Sequence, residues 1–349
     1  MTLKAKLEQL AHRVWSSINP ISIALTPLSW ITARVIKRKH KTYLHNPGWH
    51  PNVPVIIVGN IFVGGTGKTP VVISLTQTLF EKGWRPGVVS RGYGVKSTGK
   101  AQAGRGRLDP NTFGDEPALI SSRTNVPVSV HPKRVEAVQL LLKEYPETNV
   151  IISDDGLQHL QLDRDIEIIV QDSRGIGNGL LLPAGPLREP EQRLNQADVI
   201  ITNQLSIPDQ QDKADDNSIR LKPYQTTMML KPTYAMHIST GKRIQWEEWL
   251  VKHIDTPIAA VAGIGHPKRF FAMLANLDIQ IGFTRTLPDH GKITQSDFQD
   301  INQEIIVVTA KDAIKCDNIN DDRVWSIEVE PVFSNPDWID HITRRLAQL

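Results

Sequence analysis

GNIFVGGTGKTP, residues 59–70, is the stretch on which the reading of this chain turns. Gly64, Gly65 and Gly67 fall within four positions, directly before Lys68 and Thr69 and directly after the apolar run VPVIIV at 53–58. Glycine has no Cβ, so a loop built on it turns successive N–H groups inward on a phosphate, and the next helix adds its positive end. In such a phosphate-binding loop Gly64, Gly65, Thr66 and Gly67 cradle the nucleotide, Lys68 reaches the outer phosphates and the Thr69 hydroxyl meets a magnesium ion. The regular pattern has a further glycine five residues before Gly67, where this chain has Phe62. Context supports the reading: residues 53–59 have the composition of a buried strand, and 67–82 carry helical spacing with Pro70 tolerated in the first turn.

Outward from the loop, strand and helix patterns alternate. Strands are predicted at 53–59, 86–90, 126–130, 149–154, 165–171 and 198–202, and helices at 67–82, 115–123 and 132–145. The alternation predicts an α/β fold of the P-loop NTPase type, a mostly parallel sheet with helices on both faces and ligands at the carboxyl ends of its strands. Residues 206–218, polar and acidic without periodicity, read as a linker. Past them a second, smaller α/β domain is expected, with strands at 226–238, 257–262, 305–309 and 323–329 and helices at 267–276, 295–303 and 336–348. The expected divisions are an N-terminal segment, 1–45, a P-loop domain, 46–222, and a C-terminal domain, 223–349.

At 349 residues and 40% hydrophobic, the chain can bury one large core or two moderate ones. Its single cysteine, Cys316, precludes an internal disulfide and suits a reducing compartment. The net charge of +3 conceals an asymmetry: residues 1–41 hold eight Lys and Arg against one acid, and the remainder is net acidic. Residues 14–33 are uncharged and long enough to cross a bilayer, but Pro20, Pro27, four serines, two threonines and an asparagine argue against crossing. No cleavage-site pattern follows. The reading is an amphipathic segment in the membrane interface, with Trp15, Ile21, Ile23, Leu25, Leu28, Trp30 and Ile31 in the acyl boundary. Residues 34–41 then face anionic headgroups, at roughly 1 kcal/mol per basic side chain. The alternative is a basic helix packed on its own domain.

Chemistry gathers at four further places. Asp154 and Asp155 end the hydrophobic strand NVIIS, where a magnesium ion would find oxygen ligands. Asp115 and Glu116, in FGDEP, either complement the positive end of a helix or supply a proton acceptor near the transferred phosphoryl group. LPDHG offers Asp289 and His290, although His131, His159 and His266 are equally visible. Arg188 and Glu189 lie in GLLLPAGPLREP, where an arginine stabilises a transferring phosphoryl group or simply holds structure.

Taken together, VIIVGNIFVGGTGKTP, VVSRGYG, FGDEP, HPKR, DDGLQH, RDIEIIVQD, LLPAGPLRE, AGIGHPKRFF, LPDH and VTAKDAIK occur in order over residues 55–315. In this ordered series the chain resembles the tetraacyldisaccharide 4′-kinase family of Gram-negative bacteria, which shares the missing early glycine. The resemblance implies transfer of the γ-phosphoryl group of ATP, with Mg2+, to the 4′-hydroxyl of a tetraacylated glucosamine disaccharide 1-phosphate in lipid A synthesis. It implies a lipid-linked substrate and an anionic membrane surface as partners, at the cytoplasmic face of the inner membrane, peripheral or monotopic. No nucleic acid and no obligate protein partner is expected. Carried over by position, the resemblance places Lys68 and Thr69 in the nucleotide loop and Asp154 with Asp155 at the metal. Asp115 and His290 act together in proton removal; Arg188 serves the phosphoryl group, and Glu116, Gln158 and Glu189 surround the reaction centre, with Arg134 near the substrate. Departures fall at His266, where many relatives have asparagine, and at Ser153, where an apolar residue is usual. Two rivals remain: a kinase of a soluble metabolite, and a membrane-associated P-loop NTPase that transfers nothing. A GTPase is disfavoured, because only TAKD at 309–312 and TNQ at 202–204 approach the guanine-reading Asn-Lys-x-Asp run.

Overall fold

The computed structural model describes residues 11, 13–93, 99–206, 223–316 and 319–349. The linker expected at 206–218 lies almost wholly outside them. Thirteen strands among the described residues join one sheet in the order β11-β10-β12-β13-β8-β7-β6-β1-β5-β2-β4-β3, with β9 on the edge of β8. The first half comprises β1 (Val55–Gly59), β2 (Pro86–Ser90), β3 (Gln102–Gly104), β4 (Val128–Val130), β5 (Val150–Asp154), β6 (Ile166–Asp172) and β7 (Val199–Gln204). The second comprises β9 (Arg243–Gln245), β10 (Ile258–Ala262), β11 (Ile281–Thr286) and β12 (Ile306–Thr309). Two long strands, β8 (Tyr224–His237) and β13 (Val324–Phe333), pair antiparallel and carry the sheet from one half to the other. Only β13–β8, β3–β4 and β8–β9 are antiparallel; the remaining pairs are parallel, as the alternating pattern requires.

Alternation along β1 sorts the core. Ile56 and Val58 face a cluster with Val71, Val72, Leu75 and Leu79 of helix α2 (Lys68–Glu81), whereas Val55 and Ile57 face Ala137, Val138 and Leu141 of α4 (Arg134–Glu144). Each of these aliphatic side chains is fully buried, and the Val, Leu and Ile among them each contribute about 1.5–3 kcal/mol of transfer free energy on an upper-bound reckoning. Helix α3 (Asp115–Thr124) covers the same face as α2. In the second half, α5 (Trp246–His253) and α6 (Pro267–Ala275) bury Trp246, Trp249, Phe270 and Leu274 against β10 and β12. The last helix, α7 (Trp338–Leu346), returns to the first half, where Trp338, Ile339, Ile342 and Leu346 join the α2 cluster.

Local outcomes differ from the sequence reading at several places. The helix expected at 295–303 is a single 3-10 turn, Gln295–Asp297: Thr294 and Asp297 cap it, and the Ser, Asp and Asn content that favours caps does not propagate it. The chain instead bends to bury both Phe298 and Ile301. Strands β3, β9 and β11 and helix α5 were not foreseen. Strand β11 reads as a half-buried edge, FTRT, without a strong apolar run.

The N-terminal segment forms α1 (Pro20–His45), opened by Asn19, whose side chain accepts from Ser22 N while Asn19 N donates to Ser22 Oγ. Its polar stripe is turned inward: Ser29 Oγ donates to Leu181 O at 2.7 Å and accepts from Ala184 N. Trp15, expected in the acyl boundary, is half-buried and donates through Nε1 to Pro183 O at 3.0 Å. Ile21, Ile23, Leu28, Trp30, Ile31 and Val35 remain exposed. No helix among the described residues is long and apolar enough to cross a membrane.

Candidate active site

The phosphate loop leaves the carboxyl end of β1 and closes at Gly67, whose φ of 93° and N-cap position require glycine. A Cβ at Gly67 would stand 2.3 Å from Nδ2 of Asn203, the residue near the end of β7 that donates to Thr66 O at 3.0 Å. Asn60 and Gln158 brace the other side: Asn60 Nδ2 donates to Gly64 O, and Gln158 Nε2 donates to Asn60 O. Gly65 has open space above it. The loop is thus braced from both sides, and Lys68 Nζ, at the start of α2, stands 3.3 Å from Asp155 Oδ1.

Beside it, β5 delivers two adjacent carboxyls to opposite environments. Asp154 is buried, accepts from Ser90 Oγ through Oδ2, and leaves Oδ1 without a hydrogen-bond partner. Burial, reinforced by the Glu116 charge, pushes its pKa up to about 7 against the pull of Lys68. Asp155 turns into the left-handed region at φ 49°, which aspartate tolerates. Burial would raise its pKa, but Lys68 and Arg188 outweigh burial and draw it down to about 2. Arg188 Nη1 stands 3.3 Å from Asp155 Oδ2. Arg134, expected near the substrate, is itself buried and donates to the carbonyls of His131 and Asp154; it holds the turn that aims the acid pair, and burial lowers its pKa to about 10.

Across the cleft, His290 Nδ1 lies 3.1 Å from Asp115 Oδ2, joining residues 175 positions apart. His290 takes a left-handed φ of 58°, a conformation that costs non-glycine residues about 1–3 kcal/mol and gathers at functional sites. Tyr93 packs on its ring at 4.8 Å. Burial raises the Asp115 pKa, yet the hydrogen bond with His290 and the Lys315 charge prevail and hold the carboxyl below its ordinary range. Glu116 behaves alike: burial opposes ionisation, and Lys311, followed by Lys68, wins. Lys311 Nζ is 2.9 Å from Glu116 and 3.3 Å from Asp289, and despite burial these charges raise its pKa. Between the halves lies a cavity of about 310 Å³, bordered by Gly65, Thr69, Glu116, Asn203, His266 and Lys311.

Glu189 stands apart from this cleft. It is buried, pairs with His40 of α1 at 2.9 Å, and lines a second cavity of about 660 Å³ beneath that helix. Sequence reasoning passed over Lys311, Lys315 and Asn203 as site residues. Their only signals were the lysines four apart in KDAIK and the TNQ at a strand end, the latter read only as a failed guanine motif. Of the two departures, His266 borders the cavity between the halves and meets Arg174, whereas Ser153 Oγ would be 2.4 Å from a Cβ on Gly156.

A P-loop on a parallel sheet, faced by a carboxylate–imidazole pair and flanked by two strand-end acids, defines a phosphotransferase of the P-loop class. The family model for tetraacyldisaccharide-1-P 4′-kinase matches residues 21–347, and the chain belongs to that family. Among curated relatives, the tetraacyldisaccharide 4′-kinase of Bordetella parapertussis is 46% identical over 342 residues, 97% of each chain. That of Pasteurella multocida is 45% identical over 280 residues, 80% of each. Among solved structures, "apo" form LpxK from Aquifex aeolicus in complex with ATP is 26% identical, with a TM-score of 0.73 over 93% of this chain and 99% of that one.

Proposed function

We propose that this enzyme moves the γ-phosphoryl group of ATP to the 4′-hydroxyl of a tetraacylated glucosamine disaccharide 1-phosphate, as the names of its relatives state for them. The observation that carries the reading is the nearness of the Asp115–His290 pair to the glycine-rich loop: Glu116, next to Asp115, borders the same cavity as Gly65, Gly67 and Thr69 and senses the charges of both Lys68 and His290. ATP would lay its phosphates over Gly64–Gly67 with Lys68 on the outer ones. Thr69, Asp154 and Asp155 fit a magnesium ion: Asp154 Oδ1 is buried and unpartnered, and burial with the neighbouring Glu116 charge drives its carboxyl toward neutrality, a cost that a cation would relieve. Among the described residues no three His, Cys, Asp or Glu side chains cluster tightly enough to hold a metal alone; magnesium commonly completes its shell with water and phosphate oxygens. Such an ion supplies charge neutralisation at the β- and γ-phosphate oxygens.

Asp115 accepts the proton of the 4′-hydroxyl while His290 fixes its orientation, and the freed oxygen attacks the γ-phosphorus in line as ADP leaves. Little covalent assistance is needed in phosphoryl transfer, so positioning dominates. Arg188, poised beside Asp155, neutralises charge on the moving group. The exposed apolar row of α1 and its basic end, Lys37, Arg38, Lys39 and Lys41, would seat the molecule on the anionic cytoplasmic face of the inner membrane, where the acyl chains stay. Turnover with radiolabelled ATP, with and without the disaccharide lipid in detergent, decides among the readings. Label is expected in the lipid; label in a soluble sugar, or phosphate release independent of lipid, would replace it with one of the rivals.

A further inference from the structure

The motif VTAKDAIK lies outside the assigned chemistry, yet it faces it. After β12, Thr309 caps the short turn Ala310–Ala313, its hydroxyl donating to Asp312 Oδ2 at 2.7 Å and accepting from Asp312 N. Asp312 is fully buried and also accepts from Gly263 N. The turn is thus locked into the second half. From it project two lysines four positions apart, and across the cleft α3 begins with two consecutive acids. Lys311 Nζ meets Glu116 at 2.9 Å, and Lys315 Nζ stands 3.9 Å from Asp115, with its other contact to Asp312 at 2.8 Å. Lys311 also reaches back to Asp289 at 3.3 Å, the residue adjoining His290.

We infer that Lys311 and Lys315 are positioning residues, a two-rung latch that draws the halves together and so brings His290 to Asp115. This rests on the kinase reading and extends it to the closure of the cleft. The argument is one of charge. Without Lys311, the Glu116 and Asp289 carboxylates confront each other across the opening with no cation between them, and like charges there push apart the segments that carry Asp115 and His290. Lys68 also acts on Glu116, but it belongs to the first half and is paired there with Asp155, so it does not tie one half to the other. Lys311 is the better rung to cut: both its acids are about one-third exposed, so water can solvate them after its loss, whereas Lys315 neutralises a carboxylate with no exposure at all.

The test compares Lys311→Met with Lys311→Arg in the full chain, after thermal melts establish that both are folded; Lys311→Gln replaces the Met variant if it is not. Lipid phosphorylation by the Met variant is expected to lose roughly 10–100-fold in kcat, as a misaligned reacting pair does, with KM for ATP held within about threefold. The Arg variant, retaining the charge, is expected to recover most of the loss. Spin labels at Ser122→Cys on α3 and Val251→Cys on α5, both exposed, report the separation of the halves without any acceptor. A non-hydrolysable ATP analogue should narrow that distance distribution in the wild type and leave it broad in Lys311→Met. The inference is overturned if the Met variant closes like the wild type, if its kcat stays within about threefold, or if KM for ATP rises in step with the loss, which would mark a direct phosphate contact. Failure of the wild type to phosphorylate the lipid would sink the kinase reading instead, leaving the label distances to judge the latch.

Discussion

At Asp154 and Asp155, the pKa values of side chains one peptide apart are driven in opposite directions, to about 7 and about 2, because burial beside the Glu116 charge raises the first while Lys68 and Arg188 outweigh burial at the second. The same logic governs Asp115, kept ionised at neutral pH by His290 and Lys315 and therefore ready to receive a proton. Asp115→Asn is expected to lower kcat by about 10²–10⁴, the usual worth of a general base, with ATP affinity unchanged in calorimetry. A variant retaining a third or more of wild-type turnover would remove Asp115 from that role. At this scale the sequence was legible wherever function is contiguous. Glycines, Lys68 and Thr69 adjoin in the chain because a loop and a helix start must adjoin in space. Lys311 and Glu116, 195 residues apart, meet only through the fold, and nothing local marks either as the other's partner. Asn203 is of the same kind, 137 residues from the Thr66 carbonyl it holds.

Among the elements, α1 most directly tests an expectation drawn from pattern. Its exposed Ile23 and Trp30, at 60% and 69%, have no contact role in the body that their loss would disturb, since the helix is fastened from its other side by Ser29 and His40. Replacing both by Asp should reduce flotation with anionic liposomes roughly tenfold or more, each apolar side chain being worth about 1.5–3 kcal/mol when buried. Turnover in detergent should fall far less; equal flotation by variant and wild type would refute the docking role. Trp15 shows why periodicity alone misassigned one side chain: an indole carries both an apolar ring and a donor, and here the donor's bond to Pro183 O decided its direction. Strong apolar periods, as in α2 and β1, were read correctly. Residues 295–303 show the converse, because two buried apolar side chains in a polar stretch satisfy a bent chain as well as a helix.

For the molecule as a whole, chain order and packing order part company at the end. Helix α7 follows the second half in sequence but completes the core around α2, with Trp338 fully buried among the side chains behind the phosphate loop. Trp338→Ala should cost about 3–5 kcal/mol, and the midpoint of urea unfolding followed at the first half should fall accordingly. A midpoint unmoved there would show that α7 stabilises only its sequence neighbours. The halves also share backbone: along the β8–β13 pairing the register slips between Glu328 and Val329, with Thr233 as the extra residue opposite, and Arg123 of α3 grips Glu328 at that point. Every covalent and sheet connection along this ribbon is shared by both halves, and the unpaired residue at Thr233 interrupts its ladder at the very point where Arg123 ties the ribbon to the first half.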